Sequence, residues 1–316
     1  MSYAEAERID VGSIPIIDLQ GLDSAALGRA MLAAAEDVGF FYIRNHGIPA
    51  GLIADVLRVA GAFFAEPIDR KQAVAVAAGH RGFIRMGEAK MAGSTRPDLK
   101  ESFVWGLDDP GPVLGDDGIP PNRWPGFMPE MRTVLTAFFD AGNTVGWHML
   151  RAFAAALDMP PDRFVRTIDR PISRGSVIYY PPQAPEMGEQ QFGVSPHTDY
   201  GCLTLLHQDA TGGLQVQGRS GAWLMAHPIP DTFVVNVGDL LARWTNDRFR
   251  STPHRVVNRS GRTRLSTAIF VDPNRDTMID PVVRPGEAPR YDPITCGDYL
   301  QSRLDGAFAY RKAASA

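Results

Sequence analysis

His197 and Asp199 stand two residues apart in Val194-Ser195-Pro196-His197-Thr198-Asp199-Tyr200, a segment that reads as a strand. Strand side chains alternate between faces, so residues i and i+2 point the same way and can reach one ion. A third ligand has to come from elsewhere in the chain. His254, in Thr252-Pro253-His254-Arg255-Val256, is the best candidate. Two histidines and one carboxylate on one side of a metal leave the opposite positions open, the facial arrangement of non-haem Fe(II) oxygenases.

Arg264 and Ser266 form a second i, i+2 pair in Thr263-Arg264-Leu265-Ser266-Thr267. A guanidinium presents paired donors that match a carboxylate, and a serine hydroxyl adds another. Placed downstream of a facial triad, this pair suggests an acid cosubstrate that chelates the metal at one end and meets Arg264 at the other. Of the seven histidines, His46, His80 and His148 read as structural. His207 is the main competitor for the third ligand position because it follows Asp199 in the same sheet region.

These residues need a scaffold, and the chain supplies material for one. Its 316 residues allow one large domain or two ordinary ones. Hydrophobic residues make up 44% and charged residues 22%, the balance of a globular protein with a sizeable core. A net charge of −4 gives no reason to expect nucleic acid as a partner. Two cysteines, Cys202 and Cys296, imply no disulfide framework and suit a reducing cytoplasm. Met1 to Glu7 lacks a basic region followed by an apolar run, so no signal peptide is expected. No stretch approaches ~18 uninterrupted apolar residues, so no membrane span is expected.

Ile14 to Leu19 reads as a short strand, and Asp23-Ser24 caps a helix carrying Leu27, Met31, Ala34, Ala35 and Val38. Phe40 to Ile43 is a second strand, followed by a helix over 51–65. Residues 79–128 are rich in Gly, Pro and Asp and read as a long loop region covering a site, with Lys100 to Gly106 as an ordered piece. Met131 to Phe153 keeps a 3.6-residue apolar period over about six turns, the pattern of a helix that buries one face. From Arg174 onward, short strands are expected near 175–180, 194–197, 202–207, 214–217, 222–226, 232–236, 255–258 and 264–271. Many short strands at regular spacing suggest a sandwich or jelly roll. Residues 290–310 read as a loop and a C-terminal helix, with a frayed tail from Arg311 to Ala316. Residues 1–128 are then an N-terminal mixed α/β region and loop segment, and 129–316 hold the long helix, the jelly-roll core and the last helix, expected as one compact unit.

In order and spacing, several segments resemble the 2-oxoglutarate- and Fe(II)-dependent dioxygenases of the isopenicillin N synthase-like group. They are Gly39 to Pro49, Asp98 to Phe103, Asn122-Arg123-Trp124-Pro125, Tyr179-Tyr180-Pro181-Pro182, His197-Thr198-Asp199, Gly238-Asp239-Leu240, Ser251 to Val256 and Arg264-Leu265-Ser266. The resemblance implies a mainly β fold with flanking helices, a double-stranded β-helix or jelly roll. It implies that His197, Asp199 and His254 bind Fe(II). It also implies that Arg264 and Ser266 hold the far carboxylate of 2-oxoglutarate with Tyr180 as a further donor, and that O2 is consumed. Plant members often carry Asn two residues before that tyrosine, where this chain has Ile178.

The expected activity is oxidation of a small organic substrate, by hydroxylation, desaturation or cyclisation, coupled to decarboxylation of 2-oxoglutarate. Two alternatives remain open on the residues alone. One is an Fe(II) oxidase of the same fold that uses no 2-oxoglutarate. The other is a zinc hydrolase or a non-catalytic binding scaffold. Phe103, Tyr200, Leu205 and Phe270 are candidate substrate contacts, and Lys100 and Arg85 are candidate partners for an anionic substrate. The partner expected is a small molecule, with neither nucleic acid nor membrane involved.

Overall fold

The strands expected from Arg174 onward all form, and their alternation decides what faces the site. The computed structural model describes residues 14–20, 24–77, 79–89, 96–108, 119–183 and 191–307. Met1 to Glu7, Asp23 and the tail from Arg311 lie outside the described residues. The elements are, in order, β1 (Ile16–Asp18), α1 (Ser24–Asp37), β2 (Phe40–Arg44), α2 (Ala50–Ala65), α3 (Ile68–Gln72), β3 (Gly82–Ile84) and β4 (Glu101–Gly106). There follow α4 (Pro129–Ala156), β5 (Arg174–Tyr180), β6 (Val194–His197), β7 (Leu203–Gln208), β8 (Leu214–Gln217), β9 (Trp223–Ala226) and β10 (Thr232–Val237). The chain continues through α5 (Asp239–Trp244), β11 (His254–Val256), β12 (Arg264–Val271), β13 (Met278–Ile279), β14 (Ile294–Thr295) and α6 (Cys296–Ala307).

Among the described residues, a large sheet runs β1-β2-β10-β7-β12-β5-β4-β3 and a smaller one runs β6-β11-β8-β9. Apart from the parallel β1–β2 pair, their neighbours are antiparallel. The N-terminal region supplies four strands of the large sheet, β1 to β4. The segment read as a long loop therefore contributes two strands that extend the sheet beyond β5, with Phe103 of β4 opposite Val177 and β3 at the edge.

Both faces of the large sheet are buried. On β12, Leu265, Ile269 and Val271 join the core beneath α1, α2 and α4, while Arg264, Ala268 and Phe270 face the smaller sheet. On β5, Val177 and Tyr179 face the helices, and Arg174, Ser176, Ile178 and Tyr180 face inward. The period of two assigns each side chain to one of these environments.

The helix α4 is 28 residues long, starts on Pro129, and buries Met131, Leu135, Phe138, Phe139, Met149 and Phe153. It crosses β12 closely because Gly142 and Gly146 carry no side chain. A Cβ on Gly142 would lie 2.6 Å from Ile269 Cγ1, and one on Gly146 would lie 2.5 Å from Val271 Cγ2. We expect Gly142→Val to destabilise the fold by about 1–3 kcal/mol through overpacking, read as a lower denaturant midpoint. An unchanged midpoint would mean that α4 can move off the sheet freely. No helix among the described residues is long and apolar enough to cross a membrane.

Candidate metal centre and its cavity

The inner faces of the two sheets enclose a cavity, and the histidine–aspartate cluster lies on its wall. β6 and β11 are antiparallel, with His197 directly opposite His254. The wide gap between them in the sequence closes through this pairing, and their rings lie 4.3 Å apart, centre to centre. β6 ends at His197, so Asp199 is not carried by strand alternation as its spacing suggested. It sits in the following turn, held where the Asp239 N–H donates to its carbonyl at 2.7 Å.

His197 Nε2 is 3.7 Å and His254 Nε2 3.8 Å from Asp199 Oδ1. These separations are too long for hydrogen bonds. Three donor atoms within 4.8 Å of one another thus converge without bonding each other. Each imidazole turns its Nδ1 to a backbone carbonyl, His197 to Ser195 at 2.8 Å and His254 to Thr252 at 3.2 Å. An Nδ1–H donated there leaves Nε2 as a lone pair aimed at the shared point. The Thr204 hydroxyl (2.6 Å) and the Asn236 amide (2.8 Å) both donate to Asp199 Oδ2, so Oδ1 is the oxygen left for an ion. Two imidazole nitrogens and one carboxylate oxygen, each oriented by a second bond, fit a divalent iron with open positions.

Electrostatics keep the cluster in its ligating form. Burial, with His254 and Lys100 nearby, holds the His197 imidazole down to about 3. Burial alone would raise the Asp199 carboxyl. His254 and His197, with Thr204 and Asn236, outweigh it and bring Asp199 below the usual carboxylate range. His207, the competing ligand, lies on β7 with its ring 5.5 Å from Phe233 and takes no part in the cluster.

Arg264 and Tyr180 share the cavity with the triad. They face each other across β12 and β5, and the guanidinium lies 4.7 Å above the tyrosine ring. Arg264 is fully buried. Its Nε donates to Gly212 O at 2.6 Å, Nη1 to Ser266 Oγ at 3.1 Å and Nη2 to Gln208 Oε1 at 3.3 Å. Ser266 is bonded to the arginine and only 1% exposed. Ile178, opposite Ser266, presents an apolar surface there.

The four candidate substrate contacts divide, Phe103, Leu205 and Phe270 by strand parity and Tyr200 by its place in the turn after β6. Tyr200 and Phe270 are on the cavity wall. Phe103 and Leu205 are fully buried in the helix-side core, with Phe103 against Phe63 at 5.2 Å and Trp124 at 5.7 Å. Their sequence neighbours Ser102, Val104, Thr204 and Leu206 face the cavity instead. Lys100 reaches the wall, 3.7 Å from Asp98, whereas Arg85 pairs with Glu88 at the surface.

Three residues hold the centre together without having been read as site residues: Thr204, Asn236 and Asp239, the last noted only within the segment Gly238-Asp239-Leu240. Asp239 opens α5 and accepts from Thr198 at 3.1 Å, Ser251 at 2.6 Å and Arg303 of α6 at 2.5 Å. It therefore ties the residue between two candidate ligands to the loop before the third. Gly238 permits the approach, since a Cβ there would collide with Gly201 O. We expect Asp239→Asn to keep the fold and to weaken iron affinity about 10- to 100-fold, measured by chelator competition. Unchanged affinity would mean that the ligands hold their places without it.

Known proteins carry the same plan. Residues 14–126 match the family described as non-haem dioxygenase in morphine synthesis N-terminal, and residues 175–273 match the 2OG-Fe(II) oxygenase superfamily. The chain is 33% identical to the 2-oxoglutarate-Fe(II) type oxidoreductase hxnY of Emericella nidulans, over 94% of this chain and 92% of that one. It is 32% identical to the homoarginine-6-hydroxylase 2-ODD-233 of Oryza sativa subsp. japonica, over 93% and 97%. The crystal structure of a full-length Neurospora crassa protein in complex with alpha-KG and thymine superposes with a TM-score of 0.82 at 31% identity, covering 92% of this chain and 96% of that one. Relatives that use 2-oxoglutarate over this whole length decide between the readings left open by the residues. With its jelly-roll core and its triad of convergent ligands, the chain belongs to the 2OG-Fe(II) oxygenase superfamily and is an Fe(II)- and 2-oxoglutarate-dependent oxidoreductase.

Proposed function

We propose that His197, Asp199 and His254 hold the Fe(II), and that Arg264, with Ser266 behind it and Tyr180 beneath it, receives the far carboxylate of 2-oxoglutarate. The single observation that carries this reading is one cavity shared by the open side of the triad and a fully buried arginine. The overall change is substrate C–H oxidation, with 2-oxoglutarate and O2 giving succinate and CO2; in a hydroxylation, one oxygen atom enters the substrate and one enters succinate. Iron, when bound, supplies the redox chemistry and the site for O2.

The chain's own residues do the rest. Ser195 and Thr252 carbonyls fix the two imidazoles, Thr204 and Asn236 fix the carboxylate, and Ser266 and Gln208 fix the arginine fork. Val194, Leu206, Leu214, Val256 and Ile178 line the wall with hydrocarbon, which excludes water from the reacting centre. A small organic molecule enters on the side of Tyr200 and Phe270.

The test is an anaerobic titration of the Fe(II)-loaded protein with 2-oxoglutarate. A saturable visible charge-transfer band is expected, and iron binding without a band would remove 2-oxoglutarate from this cavity. Cytoplasmic residence belongs to the same reading, supported by two free, fully buried cysteines, Cys202 and Cys296. Cell fractionation checks it, and recovery in an oxidising compartment would overturn it.

A further inference from the structure

The cavity is longer than its cosubstrate, and its far end is furnished for something else. β5 and β12 bound it with a continuous register, from Arg264 opposite Tyr180 at one end to Phe270 opposite Arg174 at the other. Six residues of strand at roughly 3.4 Å each separate the two ends by about 20 Å. A five-carbon diacid anchored on Arg264 and reaching the iron does not extend to Arg174. Both arginines face inward because they lie at even steps along their strands, Arg174 with Ser176, Ile178 and Tyr180.

Among the described residues, the Arg174 side chain makes no hydrogen bond, and its one ion pair, to Asp272, is a long one. The residue is 8% exposed, and its Nε is buried with no acceptor. Nearby stands Asp272 Oδ2 at 3.9 Å, beyond hydrogen-bond reach and likewise unpartnered. Asp272 is fully buried behind the wall, and its Oδ1 accepts from the Cys202 N–H at 3.0 Å. The guanidinium lies 5.4 Å from the centre of the Phe270 ring. Around it the wall is largely apolar, with Val104, Tyr200, Phe270 and Leu304. A guanidinium whose Nε is buried without an acceptor and whose one ion pair is long has donors to spare, and a carboxylate matches its fork with two parallel hydrogen bonds.

We propose that Arg174 is the specificity-determining residue of the substrate end, and that the substrate is a carboxylate with an apolar body lying between Arg174 and the metal centre. This inference rests on the assignment of the Arg264 end to 2-oxoglutarate. The carboxylate docks on Arg174, the hydrocarbon packs against Tyr200 and Phe270, and a C–H bond on the inner side faces the iron. Lys100 is the other wall cation outside the Arg264 end and the triad that lies close to a carboxylate, at 3.7 Å from Asp98. It stands beside the triad, where its charge acts on His197, so it does not replace Arg174 at the far end.

The experiment is calorimetry under nitrogen on the full-length protein loaded with Fe(II) and 2-oxoglutarate. The probes are phenylacetate, cinnamate and hexanoate, the methyl ester of each, and thymine as a neutral planar acceptor. At least one acid is expected to bind at millimolar concentration or below, with its ester at least about tenfold weaker, a difference of 1.4 kcal/mol. Arg174→Met should abolish the preference for acid over ester, Arg174→Lys should keep part of it, and both should form the 2-oxoglutarate band at the wild-type concentration. The acid–ester comparison in the wild-type protein needs no variant, so a folding defect in Arg174→Met does not shield the proposal. Equal binding of acid and ester, tighter binding of thymine than of every acid, no acid binding at millimolar concentration, or a preference that survives Arg174→Met would each overturn it. An intact band with any of those results strikes this inference alone. Absence of the band in the wild-type protein overturns both this inference and the assignment of the two ends.

Discussion

Asp199→Ala should abolish iron-dependent decarboxylation of 2-oxoglutarate, with a fall of more than about 100-fold, beyond the range typical of residues that merely orient a ligand. Among the described residues, Asp199 contributes the only carboxylate on the cavity wall, and its Oδ1 is the atom turned toward both imidazoles. The fold should survive. The substitution strands the Thr204 and Asn236 donors at about 1–3 kcal/mol each, and it relieves the cost of a buried carboxylate. The comparison that gives the result meaning is Asn236→Ala, which leaves the ligand in place but frees it to turn. That variant should lose about 10- to 100-fold in iron affinity. Iron stoichiometry and melting temperature, measured on both, separate a lost ligand from a lost fold. Full iron content with normal turnover in Asp199→Ala would remove Asp199 from the centre.

Much of this centre was legible because metal ligands are few in kind and their spacing is short. His197, Asp199 and His254 come together in the structure, and β11 lies beside β6 as a folded-over jelly roll requires. Strand alternation alone does not bring Asp199 beside the histidines. Asp199 lies past the end of β6, and its direction comes from the backbone bond donated by Asp239. No local pattern encodes that bond, because it joins residues forty positions apart. The same limit hid Thr204 and Asn236, whose roles depend on β7 and β10 being neighbours.

Parity explains the divided outcome for the three substrate candidates that lie on strands, Phe103, Leu205 and Phe270. Phe103 and Leu205 are large and apolar, and so are the residues of the helix-side core to which they belong. Size and polarity do not tell which of the two buried faces a strand residue occupies. Once Tyr180 and Arg264 are set inward, counting by two along β5 and β12 does tell. It places Ile178, Ser176 and Arg174, then Ala268 and Phe270, on the cavity. The region between residues 79 and 128 resisted reading for another reason. β4 pairs with β5, a partner some seventy residues later, and β3 pairs in turn with β4, so these two short strands depend on a distant neighbour while the Gly-, Pro- and Asp-rich sequence around them reads as loop.

Arg264→Met is expected to raise the 2-oxoglutarate concentration needed for turnover by two orders of magnitude or so, while iron affinity stays at the wild-type value. Losing a buried, hydrogen-bonded charge partner costs about 2–5 kcal/mol, which corresponds to roughly 30- to 5000-fold in affinity. The arginine is set before any ligand arrives. Three of its nitrogens already donate to Gly212, Ser266 and Gln208, and its flat face rests on Tyr180. Methionine keeps much of the volume and removes the charge, so the wall should close over it with modest loss of stability. Lysine is no substitute, since one ammonium cannot satisfy Gly212 and Gln208 and also present paired donors to a carboxylate. The opposing account makes Arg264 a purely structural clamp between β12 and the Gly212 turn. On that account the variant would melt earlier and lose iron binding together with turnover, and the cosubstrate requirement of the surviving fraction would not move. The two accounts part at one comparison. A rise in the 2-oxoglutarate requirement with unchanged iron affinity makes the arginine an anchor, because only a group that touches the cosubstrate changes how much of it is needed.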